Sequence, residues 1–147
     1  MNPEVMSIRS AFHQLFPVLL YEDEVPEELQ VPSMYFPPAF AFDGKDTLST
    51  FMKTYSLSVK LFHESTQQAH AEAELIADAI RARRLLVPLL DPEGAHTGEY
   101  VRLNRIESRQ GSSGMALIIL TWDSRYFYER EEVQPLNKVT IESEVKL

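Results

Sequence analysis

The chain has 147 residues, 44% apolar and 10% aromatic, enough for one folded domain with a real core and too apolar for general disorder. It has no cysteine, so disulfides and thiolate metal sites are excluded, and no apolar run approaches the ~18 residues of a membrane span; we expect neither export nor a transmembrane segment. A net charge of −8, with 14 Lys and Arg against 22 Asp and Glu, makes it a poor general binder of nucleic acid.

Asn2-Pro3-Glu4 reads as a helix start, with Asn2 as cap and Pro3 in the first turn. Val5, Ile8, Phe12 and Leu15 continue it as a helical stripe that ends at Pro17. A short strand is expected over 18–21. Residues 22–38 carry four prolines and are read mostly as loop, with Ser33-Met34-Tyr35-Phe36 as a brief extended piece. The acids Glu22, Asp23, Glu24, Glu27 and Glu28 in this loop are either a solvated surface or a face past which DNA slides. Asp43-Gly44-Lys45 lies between apolar extended segments and is a hairpin signal, predicting that 39–42 pairs with 47–62.

In that second segment Tyr55, Leu57, Val59 and Leu61 alternate with polar residues, the period of a strand with one buried face. After His63-Glu64-Ser65-Thr66 the period changes. Ala69, Ala73, Ile76 and Ile80 recur at steps of four, three and four, which predicts a helix over about 66–83 capped by Ser65 or Thr66. Arg81, Arg83 and Arg84 fall at its end, where cations complement the helix dipole. Residues 85–90 are apolar but contain Pro88, so they form an edge piece or a connector. Asp91-Pro92-Glu93-Gly94 has turn chemistry, and strands over 100–108 and 114–128 flank a hairpin loop at 110–113. The unbroken apolar run 115–120 predicts a central strand covered on both faces. Beyond Glu129 the core pattern is lost, yet Val139, Ile141, Ser143 and Val145 alternate with polar residues and could form a strand given a partner. The expected fold is α+β: a mostly antiparallel sheet with an N-terminal helix and one long helix packed on one face. Residues 1–130 form a single domain, and 131–147 a C-terminal extension.

No catalytic constellation emerges. His70-Ala71-Glu72 lacks the Pro-Cys-x-x-Cys half of a zinc deaminase site, and there is no His-Glu-x-x-His. The four histidines, His13, His63, His70 and His96, read as ordinary helix or loop residues. Gly111-Ser112-Ser113-Gly114 has no following Lys and precedes a strand, so it is not a phosphate loop. No metal, cofactor or catalytic residue is assigned. The aromatic and charged patch over 121–130, with Trp122, Arg125 and Tyr126, either ends a core strand or forms a protein contact. A base-stacking platform is the weakest reading of that patch, because Asp123, Glu129, Glu131 and Glu132 oppose it.

Taken in order, these pieces resemble a tail terminator (tail completion) protein of long-tailed phages or phage-tail-like prophage particles. The resemblance rests on the helix ending in Leu15-Phe16-Pro17, the stretch Pro32-Ser33-Met34-Tyr35-Phe36-Pro37-Pro38, the long strand leading into the 66–83 helix, and the closing Trp122-Asp123-Ser124-Arg125-Tyr126. It implies a structural virion protein of the tail, assembled in the host cytoplasm, and not an enzyme. Such proteins form a ring, usually of six copies, on a finished tail tube; the ring stops polymerisation and offers a surface to the head or neck. The implied partners are copies of itself, the tube protein, and sheath and neck proteins, with DNA only as passing cargo and no membrane. Residues expected at contacts between subunits or with the tube are Glu22, Asp23, Glu24, Tyr35, Phe36, Arg81, Arg83, Arg84, Trp122, Arg125, Tyr126, Val139 and Ile141. A neck or head-completion connector of the same particle is the alternative, and a small metal-dependent nuclease with scattered acidic ligands the alternative from another class.

Overall fold

The computed structural model describes residues 2–44 and 47–127. Helix α1 spans Pro3–Leu15, and the Asn2 side chain accepts a hydrogen bond from the Glu4 N–H at 2.7 Å, as the cap reading requires. Its buried stripe is Val5, Ile8, Ala11 and Phe12. Strands β1 (Leu19–Tyr21), β2 (Ser33–Tyr35), β3 (Phe40–Gly44) and β4 (Thr50–Phe62) follow. Helix α2, Thr66–Ala82, is capped by Ser65, whose hydroxyl accepts from the Gln68 N–H. Then come β5 (Leu86–Leu90), β6 (His96–Gln110) and β7 (Met115–Phe127).

The seven strands form one sheet in the order β1-β2-β4-β7-β6-β5, with β3 pairing the free part of β4 beside β2. Only β1 and β2 run parallel. The backbone of the sheet is the β4·β7 ladder, unbroken from Thr50↔Phe127 to Phe62↔Met115. Its inner face carries Leu57, Val59 and Leu61 opposite Leu120, Ile118 and Ala116, all fully buried. Small residues Ala69, Ala73 and Ala77 let α2 lie close on that face, with Ile76 and Ile80 filling the space beside them. The sheet curls around α1, so that Leu20 of β1 and Leu90 of β5 line one cleft beside this helix. The Ser7 hydroxyl holds the far side of the curl: it donates to the Pro3 carbonyl oxygen at 2.8 Å and accepts from the Leu90 N–H at 2.9 Å. Gly114, at φ 73°, leads into β7; a Cβ there would lie 3.1 Å from the His63 carbonyl oxygen, and its N–H donates to Thr66 Oγ1. The β6–β7 hairpin is thereby tied to the start of α2.

Two expectations change. Asp43 and Gly44 do not make the hairpin turn; they extend β3, paired with Lys53 and Met52, and the chain reverses further on. Opposite charges facing each other at Asp43 and Lys53 favour continuing the ladder there. Strand β7 is central, but only one of its faces is covered. Leu117 and Ile119 point away from the helices and stay partly exposed.

Trp122 is fully buried, and its indole N–H donates to Glu4 Oε1 at 3.2 Å, while Ser124 Oγ donates to Glu4 Oε2 at 3.1 Å. One carboxylate thus joins the first turn of α1 to β7. Glu4→Ala leaves a buried N–H unpaired and is expected to lower unfolding free energy by about 1–3 kcal/mol in denaturant titration. Glu4→Gln, which keeps an acceptor, is expected to lose less.

Candidate interaction surface

Two of the residues expected at contacts are part of the core. Phe36 is 2% exposed and packs edge-on against Phe12, ring centroids 5.7 Å apart. Trp122 has no exposed surface and stacks on Tyr55 at 5.4 Å. Neither can touch a neighbour directly. The alternation contained the signal: Trp122 is in phase with Ala116, Ile118 and Leu120, and Phe36 lies two residues beyond buried Met34. Glu22, Asp23 and Glu24 are exposed, and Tyr35 is half-buried on the outer side of the sheet. Arg125 is exposed on β7, opposite Met52. Only the backbone of Tyr126, paired with Phe51, is described, and Val139 and Ile141 lie outside the described residues.

The arginines converge, and one of them was missed in the sequence. Arg81 forms an ion pair with Asp78 at 2.8 Å and donates from Nη2 to the Ile106 carbonyl oxygen of β6 at 2.6 Å. This bond brings the end of α2 onto β6 where the ladder with β7 shifts register, between Leu103 and Arg105. The extra residue, Asn104, is a bulge. Leu103 faces the core, and because of the bulge Arg105 pairs with Thr121 and points outward instead of repeating the inward phase. Arg81, Arg84, Leu85, Asn104, Arg105 and Ile106 line a shallow groove of about 450 Å³. The signal in the sequence is the spacing of Val101, Leu103 and Ile106, which steps by two and then by three across Asn104-Arg105; strand alternation alone does not single out Arg105.

The groove is held by an uncommon backbone. Arg84 and Leu85 both have φ of 61°, the left-handed region that disfavours side chains with a Cβ. The turn is fastened by the Leu85 N–H to the Ile80 carbonyl and by the Leu103 N–H to the Leu85 carbonyl, at 3.1 and 2.8 Å. It leaves Arg84 exposed and Leu85 half-buried against the core.

Two other surfaces stand open. On the outer side of the sheet Phe40 and Phe42 are 63% and 53% exposed, with ring centroids 6.4 Å apart. They share that side with Leu117 and Ile119. The acidic loop after β1 carries exposed Glu22, Asp23, Glu24, Glu27 and Glu28, of which Glu22 pairs with Arg9 of α1. Its ends are braced by Tyr21, whose hydroxyl accepts from the Gln30 N–H, and by Tyr35, whose hydroxyl donates to the Asp23 carbonyl. Among the described residues no group of three or more His, Cys, Asp or Glu could hold a metal ion.

Over 146 residues the chain is 51% identical to protein YqbJ of Bacillus subtilis (strain 168), covering 99% of this chain and 100% of that one. It is 46% identical, with the same coverage, to the phage-like element PBSX protein XkdJ of the same organism. The chain belongs to the YqbJ/XkdJ family. No family model matches it. Among solved structures, a chain from the virion of a native gene transfer agent (GTA) particle aligns with a TM-score of 0.49 and 14% identity, covering 84% of this chain and 90% of that one.

For this member of the YqbJ/XkdJ family, the paired left-handed residues give a stability test. Arg84→Gly removes the Cβ penalty at one of them, against a smaller entropy cost in the unfolded chain. A net gain of about 0.5–1 kcal/mol is expected, read as a rise of a few degrees in thermal midpoint. An unchanged or lower midpoint would mean that the arginine side chain itself holds the turn.

Proposed function

We propose that this protein is a structural component of a phage-tail-like particle and acts as its tail terminator. In this reading copies of the chain close into a ring, six being the expected number, on the end of the tail tube. The ring ends tube polymerisation and presents the surface to which the head or neck joins. The observation that carries the proposal is the full-length relation to XkdJ, a protein of a phage-like element. The order of sequence elements, which resembles tail terminators, supports the finer role.

The physical features are compatible with this work. A ring of identical subunits needs two different patches on each, because a head-to-tail contact closes only when its rotation closes. The outer sheet side with Phe40 and Phe42, the acidic loop and the arginine groove are distinct surfaces of one rigid scaffold. A stable contact of this kind buries on the order of 1,200–2,000 Å² per pair, and the exposed phenylalanines are suited to its centre. Sheet edges that could pair at random are guarded. Pro88 interrupts β5, and on β6 the charged Arg105, Glu107 and Arg109 alternate along the stretch beyond β5.

The test is deletion of the gene in a strain that produces the particles, followed by measurement of tail lengths in negative stain. Tails of uncontrolled length without heads are expected, together with ring-shaped particles when purified protein is mixed with tubes. A protein that stays monomeric with tubes present, in a strain whose tails keep their normal length after deletion, overturns the proposal. Label found in the neck and absent from the tube end would reassign the protein to the connector.

A further inference from the structure

We propose that the arginine groove at the end of α2 is the seat for the acidic loop, residues 22–28, of the next copy in the ring. This rests on the ring reading and adds to it the two surfaces that meet.

The chain is acidic overall, yet Arg81, Arg83, Arg84, Arg102, Arg105 and Arg109 are gathered at the end of α2 and along β6. Local acids answer only some of them: Asp78 pairs with Arg81, and Glu107 with both Arg105 and Arg109. Among the described residues no acid lies within ion-pair distance of Arg83, Arg84 or Arg102. Two irregularities shape the site, the left-handed pair at Arg84-Leu85 and the bulge at Asn104 that turns Arg105 outward. Backbone strain of this kind persists where the surrounding structure imposes it, and it gathers at functional surfaces.

The occupant follows from charge complementarity. The loop presents five acids, and among the described residues only Glu22 of these has a basic partner in its own chain, Arg9. The loop leaves β1, which the curl brings beside the Leu90 end of β5, whereas the groove lies at the Leu85 end of that strand. No ion pair joins loop to groove within the chain among the described residues. Two complementary patches on different parts of one subunit make a head-to-tail contact between copies, the kind that closes into a ring. Nucleic acid is the poorer occupant: Asp78 and Glu107 stand beside the groove, and the acidic surface elsewhere repels phosphate. Exposed ion pairs add little affinity individually, so these charges set partner and register while apolar area supplies the bulk of the binding.

The test uses charge reversal in the full chain. One variant carries Arg83→Glu and Arg84→Glu, the other Asp23→Lys and Glu24→Lys; among the described residues none of these four side chains has an ion-pair partner. Assembly is followed by sedimentation, alone and with tail tubes, with circular dichroism as the check on folding. Each variant by itself is expected to assemble at least about tenfold more weakly than wild type. An equal mixture is expected to recover assembly, because each reversed groove then meets a reversed loop and an even-membered ring closes with the variants alternating. High salt is expected to weaken wild-type assembly. If either variant alone assembles like wild type, or the mixture recovers nothing, the contact is wrong while the ring stands. If wild type assembles neither alone nor on tubes, ring and contact fall together. If the arginine variant instead loses binding to duplex DNA that wild type shows, the groove belongs to nucleic acid and the proposal is overturned.

Discussion

The structure depends on the register of one ladder. The β4·β7 pair sets thirteen residues against thirteen, and its alternation sends Leu57, Val59, Leu61, Ala116, Ile118, Leu120 and Trp122 to the same side. A slip of one residue would turn the slipping strand's set outward, bringing Ser58 and Lys60 of β4, or Leu117 and Ile119 of β7, against the helices. The hydrophobic burial at stake is roughly 1.5–3 kcal/mol for each large side chain, so no odd-numbered slip competes. The helices, the curl and the outer face are consequences of that choice. With the apolar set committed inward, what remains outside is a mixed face whose aliphatic and aromatic residues have no cover within the described chain.

Much of the fold was legible because period and caps agreed. The Asn2 and Ser65 caps, the alanine stripe of α2, the alternation of β4 and the turn at Asp91-Pro92-Glu93-Gly94 each have one physical cause that acts over a few residues. Features that depend on distant residues were less legible. Asp-Gly at 43–44 looks like a turn locally, but Lys53 on the facing strand draws Asp43 into the ladder. The bulge at Asn104 shows locally only as two polar residues between Leu103 and Ile106, and what it does, bringing Arg105 beside Arg81 and Arg84, depends on α2, which lies far from it in sequence. The contact residues divide the same way. Arg83 and Arg84 were found from helix position alone, whereas Arg105 needed the bulge, and Phe36 and Trp122 were drawn into the core by alternation that an aromatic-rich patch obscured.

The candidate contact surface and the irregular backbone coincide. Regular strands and capped helices make the scaffold, and the departures from regularity collect where α2 meets β6. A left-handed Arg-Leu pair and a single inserted asparagine are local costs that a protein selected only for stability would tend to shed. In this family member they hold guanidinium groups outward on a chain that is otherwise acidic. Kinship with XkdJ, a protein of a phage-like element, gives the setting in which the proposed contact between copies would act.

The hydroxyl of Ser7 acts across a long span of chain. It bridges its own helix to Leu90, a residue 83 positions away, so the last strand to complete the curl is fastened by the first helix of the chain. Closing a contact of such long separation costs chain entropy that packing elsewhere in the fold must offset. Leu90 and Leu85 stand at opposite ends of the same short stretch. One five-residue strand therefore carries both the end beside the arginine groove and the end tied to the first helix.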